Sequence, residues 1–303
     1  MLDRSVRRIL HGVLEENSKD TRLSSAPVWL AGEESGALAV LCAANTLLEK
    51  AVTPREVQTV ILLPVGSEES LLRSIEEGIR REAECLGLVI TGGHTEVTPA
   101  VTRPVVTGAA SGTPWEEKRL PGKPGRDIVA AGWTGLSGTC LLAGKKEAEL
   151  LSRFPLSLVQ AGQKTREFLS CGRMAEVYRT FCRTRREKPL AVAGKEGGVF
   201  ASLWRLSEKA GTGFAVDLLK IPILQETVEI TDHFEVNPYQ MESLGMMLFL
   251  SGDGAALVRE LEKNGIRAEK IGHLTEDNEK CIRNGEERRS LELPVPDPLI
   301  GIL

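Results

Sequence analysis

Three clusters of glycine and ionisable residues are where this sequence could do chemistry. The first is Leu88-Val-Ile-Thr-Gly-Gly-His-Thr-Glu-Val97: an apolar run, Leu88 to Ile90, meets Gly92 and Gly93, and His94, Thr95, Glu96 and Thr98 follow. A short apolar run bounded by glycine predicts a buried strand. Glycine opens backbone conformations closed to other residues and lets a ligand approach the main chain. A strand ending on such a turn delivers polar groups from a rigid frame. The second cluster, Gly132-Trp-Thr-Gly-Leu-Ser-Gly138, is predicted to join a strand, Asp127 to Trp133, to a helix through Leu142. Free N–H groups and the helix dipole converge there, which suits an anion. The GxxxxGK[ST] pattern of a P-loop is absent. The third, Gly194-Lys-Glu-Gly-Gly198, opens a helix predicted over Val199 to Ala210, with Gly211 to Gly213 ending it as a C-cap. From the residues alone, a structural turn and a ligand-binding turn both stay open for each.

The elements that position these clusters follow from periodicity. Arg4 to Glu16 reads as an amphipathic helix, with Val6, Ile9, Leu10, Val13 and Leu14 on one face. Pro27 to Ala31 reads as a strand and Ala37 to Ala51 as a mostly apolar helix whose small residues allow close packing. Asn45 and Thr46 are polar on that helix, so each needs a hydrogen-bond partner, in the protein or in a ligand. Val57 to Val65 is a strand, Ser67 to Leu86 a helix N-capped by Ser67, and Val101 to Ser111 a strand. Proline, glycine and charge then accumulate from Gly112 to Gly125 and divide the chain into residues 1–122 and 123–303. Beyond the division, helices are predicted over Leu156 to Ser170, Arg173 to Thr184, Glu226 to Phe234 and Gly254 to Lys263. Strands are predicted over Phe214 to Leu218, Met246 to Leu250 and Arg267 to His273, and Asn284-Gly285 signals a hairpin. The class is α+β in two halves.

With 303 residues the chain can bury a sizeable core. A net charge of -4 with 26% charged residues argues against a nucleic-acid partner. The start, Met-Leu-Asp-Arg-Ser-Val-Arg-Arg, carries no apolar segment long enough for a signal peptide or a membrane span, so a soluble cytoplasmic protein is expected. The six cysteines are scattered without a CxxC pair and are expected to be buried thiols, not zinc ligands.

Set in order, the landmarks resemble the aminoimidazole ribonucleotide synthetase-like (PurM-like) superfamily of ATP-dependent proteins, closest to the hydrogenase-maturation factor E (HypE) branch. The likeness runs from about Ala37 to Pro298. Ala39-Val-Leu-Cys-Ala-Ala-Asn-Thr-Leu47 is similar to the family's helix with an Asn-Asp pair, and Ile90-Thr-Gly-Gly-His-Thr-Glu96 to its Gly-Gly-acid-Thr loop. Gly135-Leu-Ser-Gly-Thr139 resembles the turn opening the C-terminal domain, and Glu196-Gly-Gly-Val-Phe-Ala201 the phosphate-side loop and helix. The resemblance implies a two-domain fold: an N-terminal domain whose strands form a barrel-like interface in a homodimer, and a C-terminal α/β sandwich. It implies ATP and Mg2+ in the cleft between domains and subunits, with a small molecule phosphorylated there.

On this reading Glu96 is a metal ligand or general base and His94 contacts phosphate or moves a proton. Asn45 and Thr95 orient the ligand, Lys195 pairs with phosphate, and Gly92, Gly93, Gly135, Gly138, Gly197 and Gly198 line the nucleotide. The sequence also departs from the family. No Gly-Asp-Asp-Ala segment precedes Ala37, Thr46 stands at the Asp of the Asn-Asp pair, and His94 stands at the loop acid. The last residues, Pro296-Asp-Pro-Leu-Ile-Gly-Ile-Leu303, carry no cysteine, so the maturation chemistry itself is not expected. A catalytically degenerate relative acting as a binding or assembly protein is the alternative.

Overall fold

The computed structural model describes residues 23–116 and 125–303. The helix expected over Arg4 to Glu16 and part of the proline-glycine stretch lie outside the described residues. Two open sheets organise the chain. The first has four strands in the order β1-β4-β2-β3: β1 Leu23–Val28, β2 Val52–Leu63, β3 Val89–Val97 and β4 Val105–Pro114. All neighbours are antiparallel except β2 and β3. That parallel pair is joined by α2, Glu69–Cys85, as a parallel connection requires.

Helix α1, Ser35–Glu49, is buried along its whole length. Its alanines permit this. At Gly108 on β4 an added Cβ would sit 2.4 Å from the Ala39 carbonyl oxygen, so helix and sheet touch backbone to backbone.

The second sheet has seven strands in the order β11-β10-β7-β9-β5-β8-β6. These are β5 Asp127–Ala131, β6 Ala191–Ala193, β7 Phe214–Asp217, β8 Met247–Ser251, β9 Ala268–Leu274, β10 Lys280–Asn284 and β11 Glu287–Ser290. Its inner strands are apolar on both faces because helices cover both. Ile128, Ala130, Leu248 and Leu250 pack with Val199, Leu203 and Leu206 of α7, Gly198–Ala210. Val129, Ala131, Met247 and Phe249 pack with Tyr178 and Cys182 of α6, Gly172–Arg185, and with Leu257 and Leu261 of α9, Gly254–Lys263. The period of two in β5 and β8 divides their side chains between these layers.

A third core cluster joins the first sheet and α1 to α3, Leu136–Lys145, α4, Glu147–Leu151, α5, Leu156–Lys164, and α8, Gln225–His233. The two halves therefore share this apolar cluster, and Leu48, Ala51 and Trp115 join them again on the α6 side of the second sheet.

Several expected boundaries move for local reasons. Strand β2 begins at Val52 and not Val57, and it carries Pro54 beside a break in its register with β4. Proline cannot donate to a ladder, so an irregular position tolerates it. Helix α2 starts at Glu69. Ser67 is not its N-cap, since its hydroxyl donates to the Pro64 carbonyl at 2.8 Å.

The largest correction concerns Leu88 to Val97. Of these residues only Leu88 is buried, in the core below the first sheet; the rest is neither buried nor a turn. Strand β3 runs straight through Gly92 and Gly93 to Val97 and is exposed throughout, with Val89 at 62% and Ile90 at 44% exposure. Val57 pairs with Ile90 and Gln58 with Gly92, which leaves Thr91 as an extra residue. The glycines serve a bulge in an edge strand, a second use of glycine that local sequence does not separate from a turn.

Candidate functional site

The second and third glycine clusters are brought together. Gly135 is the N-cap of α3 with φ 76°, and Gly197 is the N-cap of α7 with φ 77°, both left-handed. The loop from Tyr239 to Gly245 lies between them and bonds to each. Gly135 N donates to Ser243 Oγ at 2.8 Å and Gly138 N to the Glu242 carbonyl at 3.2 Å. Ser243 N donates to the Lys195 carbonyl at 3.2 Å, and Phe200 N to the Tyr239 carbonyl at 3.1 Å. The contact is tight. A Cβ on Gly138 would stand 2.4 Å from Met241 Cγ, and one on Gly198 would stand 2.5 Å from the Tyr239 oxygen. These two positions exclude any side chain.

The donors that sequence reasoning assigned to an anion have protein partners. Gly197 N donates to Asp297 Oδ2 at 3.1 Å, and Gly198 N to the Lys195 carbonyl at 3.0 Å. Two helix N-termini with left-handed glycines form a cradle of N–H groups, here filled by Ser243, the Glu242 main chain and Asp297.

Lys195 lies against Glu49 at the C-terminal end of α1, Nζ to Oε2 4.0 Å. Glu49 is 6% exposed. It also accepts from Arg205 Nη1 at 3.1 Å, from Lys209 Nζ at 2.7 Å and from Ala193 N at 2.9 Å. Burial by itself would raise this carboxyl. The charges of Lys209, Lys195 and Arg205 outweigh that and hold it well below the usual carboxylate range. Thus one acid on the first half is clamped by three cations on the second.

Asn45 forms a neighbouring clamp. Its Nδ2 donates to the Leu169 carbonyl at 2.9 Å and its Oδ1 accepts from Cys171 N at 3.0 Å. Both polar ends of this buried side chain are used inside the protein. Thr46 turns its hydroxyl back to the Cys42 carbonyl at 2.6 Å, the local bond that threonine makes inside helices.

His94, Thr95 and Glu96 lie on β3, whose packing partners are β2 and α2. His94 Nε2 and Glu96 Oε2 are 3.4 Å apart on one face, with side chains 63% and 56% exposed. The convergence at Gly135 and Gly197 does not include them.

The acids that do lie beside the third cluster are Glu196, Glu242 and Asp297. Burial, then the negative charges of Asp297 and Glu196, push the Glu242 carboxyl up to about 8. Burial also raises Asp297, although the Gly197 and Leu299 N–H groups oppose it. A carboxyl held protonated near neutral pH is a poor ligand for a hard cation, which takes anionic oxygens. Among the described residues no group of three or more His, Cys, Asp or Glu is placed to hold a metal ion.

Of the cysteines, Cys42, Cys171, Cys182 and Cys281 are buried as expected, while Cys85 is exposed. Burial pushes the Cys42 thiol up to about 11 and Cys171 up to about 12, so neither is a ready nucleophile. A separate pocket of about 150 Å³ is lined by Asn45, Thr53, Trp115, Ser170 and Glu176 among others, and by none of the glycine-turn residues. Among the described residues no helix is long and apolar enough to cross a membrane.

Sequence reasoning missed Glu49, Arg205, Lys209, Ser243 and Asp297. Only Glu49 carried a signal, as the one acid on an apolar helix.

Comparison with known proteins identifies the family. The sequence model for the N-terminal domain of AIR synthase related proteins matches residues 20–113, and that for their C-terminal domain matches residues 196–283. The chain belongs to the AIR synthase related family, with the two-domain α+β fold of that family. Within it, the chain is similar to carbamoyl dehydratase HypE of Rhodobacter capsulatus, 24% identical over 227 residues. That match covers 73% of this chain and 63% of the relative, less than two thirds of its length. A putative hydrogenase expression/formation protein of Methanocaldococcus jannaschii is 22% identical over 281 residues, covering 90% and 80% of the two chains. The solved structure of E. coli HypE superposes with a TM-score of 0.73 at 16% identity, covering 92% of this chain and 88% of that one. A HypE structure in complex with ATP gives 0.73 at 15%, covering 98% and 97%. At these identities the structures show a shared fold.

Proposed function

We propose that the chain is an ATP-binding protein whose nucleotide seat is the paired glycine turns at Gly135–Gly138 and Gly197–Gly198. One observation carries this reading: two left-handed glycine N-caps, opening two helices, are laid side by side by the loop from Tyr239 to Gly245. Backbone N–H groups at helix N-termini are suited to phosphate oxygens, and a phosphate seated here would take the place of the side-chain acceptors Ser243 Oγ at Gly135 N or Asp297 Oδ2 at Gly197 N. The ATP complex of a HypE protein with the same fold supports it. No transfer step is routed through Mg2+, since among the described residues no group of three or more His, Cys, Asp or Glu is placed to hold a metal ion. Isothermal titration with ATP, with and without magnesium, is expected to give binding below millimolar nucleotide. No heat at millimolar ATP under either condition would sink the reading.

We further propose that two copies pair through the first sheet. Helices α1 and α2 pack on one side of it, while β3, Val60 at 40% and Leu23 at 61% are left exposed. An exposed edge strand with apolar neighbours calls for a partner. Such a dimer would offer His94 and Glu96 to a cleft between subunits. Sedimentation velocity is expected to return twice the chain mass for the wild type and the single mass for Val60→Asp; a wild type that sediments as a single chain excludes the dimer.

A second reading, a binding or assembly protein without turnover, is motivated by the lack, among the described residues, of a three-acid group. ATP hydrolysis that is lost in Glu96→Ala would exclude it.

A further inference from the structure

The pocket of about 150 Å³ lies on the seam between the two halves and away from the glycine turns. Helix α1 contributes Ala44, Asn45 and Leu48, and Pro54 of β2 with Leu88 adds further apolar wall. The second half contributes Ser170 and, from the first turns of α6, Glu176.

Its walls are pinned. Asn45, 1% exposed, is bonded at both polar ends to the main chain of Leu169 and Cys171. Trp115 N donates to the Ala51 carbonyl at 2.8 Å, its Nε1 donates to Thr53 Oγ1 at 3.2 Å, and the Arg179 guanidinium lies 5.6 Å over its ring. Packed interiors keep few voids larger than a water molecule. Here fixed side chains on both halves hold one open.

The polar groups of the lining define what can enter. Thr53 Oγ1 accepts from Trp115 and Ser170 Oγ accepts from Gly172 N at 3.3 Å, and among the described residues neither hydroxyl donates to a protein acceptor. A hydroxyl carries a donor as well as acceptor lone pairs, so two O–H donors are left for a ligand oxygen. Glu176 is the ionisable residue of the lining, and Arg179 Nη1 stands 3.8 Å from its Oε2. That pairing leaves no charge that calls for a counter-ion, and the carboxylate opposes an anion.

We propose that this pocket binds a small uncharged molecule with a compact apolar body and one oxygen acceptor, such as a carboxamide or a ketone. A cavity of about this volume with apolar walls accepts a single six-membered ring. The ring lies against Ala44, Leu48, Pro54 and Leu88, and the acceptor meets the Ser170 and Thr53 hydroxyls. Such a ligand touches both halves and stabilises their docked arrangement by mass action.

Isothermal titration of the full chain with benzamide, benzoate and benzylammonium, three probes of one size, tests this. Benzamide is expected to bind with a dissociation constant of about 1 mM or below, and the two charged probes about tenfold more weakly, since neither charge finds a partner. Ala44→Leu enlarges a wall residue and is expected to abolish binding. Ser170→Ala is expected to weaken benzamide about three- to tenfold, the worth of one hydrogen bond. Ser170 is exposed, so this variant keeps the test decisive if Ala44→Leu does not fold. Absence of benzamide binding at tens of millimolar, or wild-type affinity in Ala44→Leu, overturns the site. A charged probe bound as tightly as benzamide, or an unchanged Ser170→Ala, overturns the ligand class. The pocket shares no residue with the glycine turns, so nucleotide binding does not enter the result.

Discussion

Glu49→Ala is expected to lower the unfolding free energy by about 3–5 kcal/mol, the cost of removing one member of a buried ion pair and leaving the others uncompensated. The Glu49 carboxylate is 6% exposed, and Lys209, Arg205 and Lys195 lie around it with 25% to 32% of their side chains exposed. That residual exposure places the expected value toward the lower end, since water re-solvates the cations in part. The Ala193 N–H also loses its acceptor. Because α1 belongs to the first half and the cations to the second, the variant should loosen the boundary as well. Urea denaturation read at two probes checks this, with a lower midpoint expected and transitions that no longer coincide. A midpoint within error of the wild type would show that the cluster is energetically neutral.

The sign with pH follows. A carboxyl held below its ordinary value contributes stability above the unfolded-state pKa and loses it as pH falls through the folded one. Glu49 is therefore one source of acid lability, and Glu49→Gln should be the less acid-sensitive protein from a lower starting stability.

Glu242→Gln is expected to remove an opposite slope. Its carboxyl is raised from the ordinary 4.5 to about 8, first by burial and then by Asp297 and Glu196. Between those values the folded state holds a proton that the unfolded state has released. Stability from this group is complete below the unfolded value and declines as pH rises toward the folded one. In the wild type this amounts to a loss on the order of 2–4 kcal/mol between pH 5 and pH 8.5. Denaturation midpoints at pH 5, 7 and 8.5 should fall in the wild type and run nearly level in Glu242→Gln. Parallel slopes in the two proteins would mean that the carboxyl is solvated and titrates normally. The glutamine is isosteric and keeps the Glu242 main-chain acceptor for Gly138 N, so the comparison isolates the proton.

These two residues mark where sequence stopped being informative. Helix α9, Gly254–Lys263, matches its expected bounds residue for residue because periodicity and cap are both local. The Asn284-Gly285 hairpin forms as expected, with Gly285 at φ 61°. The full burial of α1 followed from its small residues. Other readings failed for a physical reason. Lys195 looks like a phosphate ligand in sequence, yet its anion is Glu49, 146 residues earlier. Asn45 left a ligand and a structural bond equally open, and the structure places Leu169 and Cys171 at its two ends.

Gly92 and Gly93 first read as a strand ending on a turn. A glycine pair relaxes the backbone in either case, and only pairing with β2 decides between a turn and a bulge. By itself the sequence determined the family, the α+β class and the places where glycines open helices, because these rest on local spacing. The tertiary structure decided which glycine turns meet, that Gly92 to Glu96 form an edge, and that Glu49 and Asp297 answer the cations and the helix N-terminus. Those pairings join residues about a hundred or more positions apart. They are fixed by packing two sheets around a shared core, which leaves no mark on the local sequence of either partner.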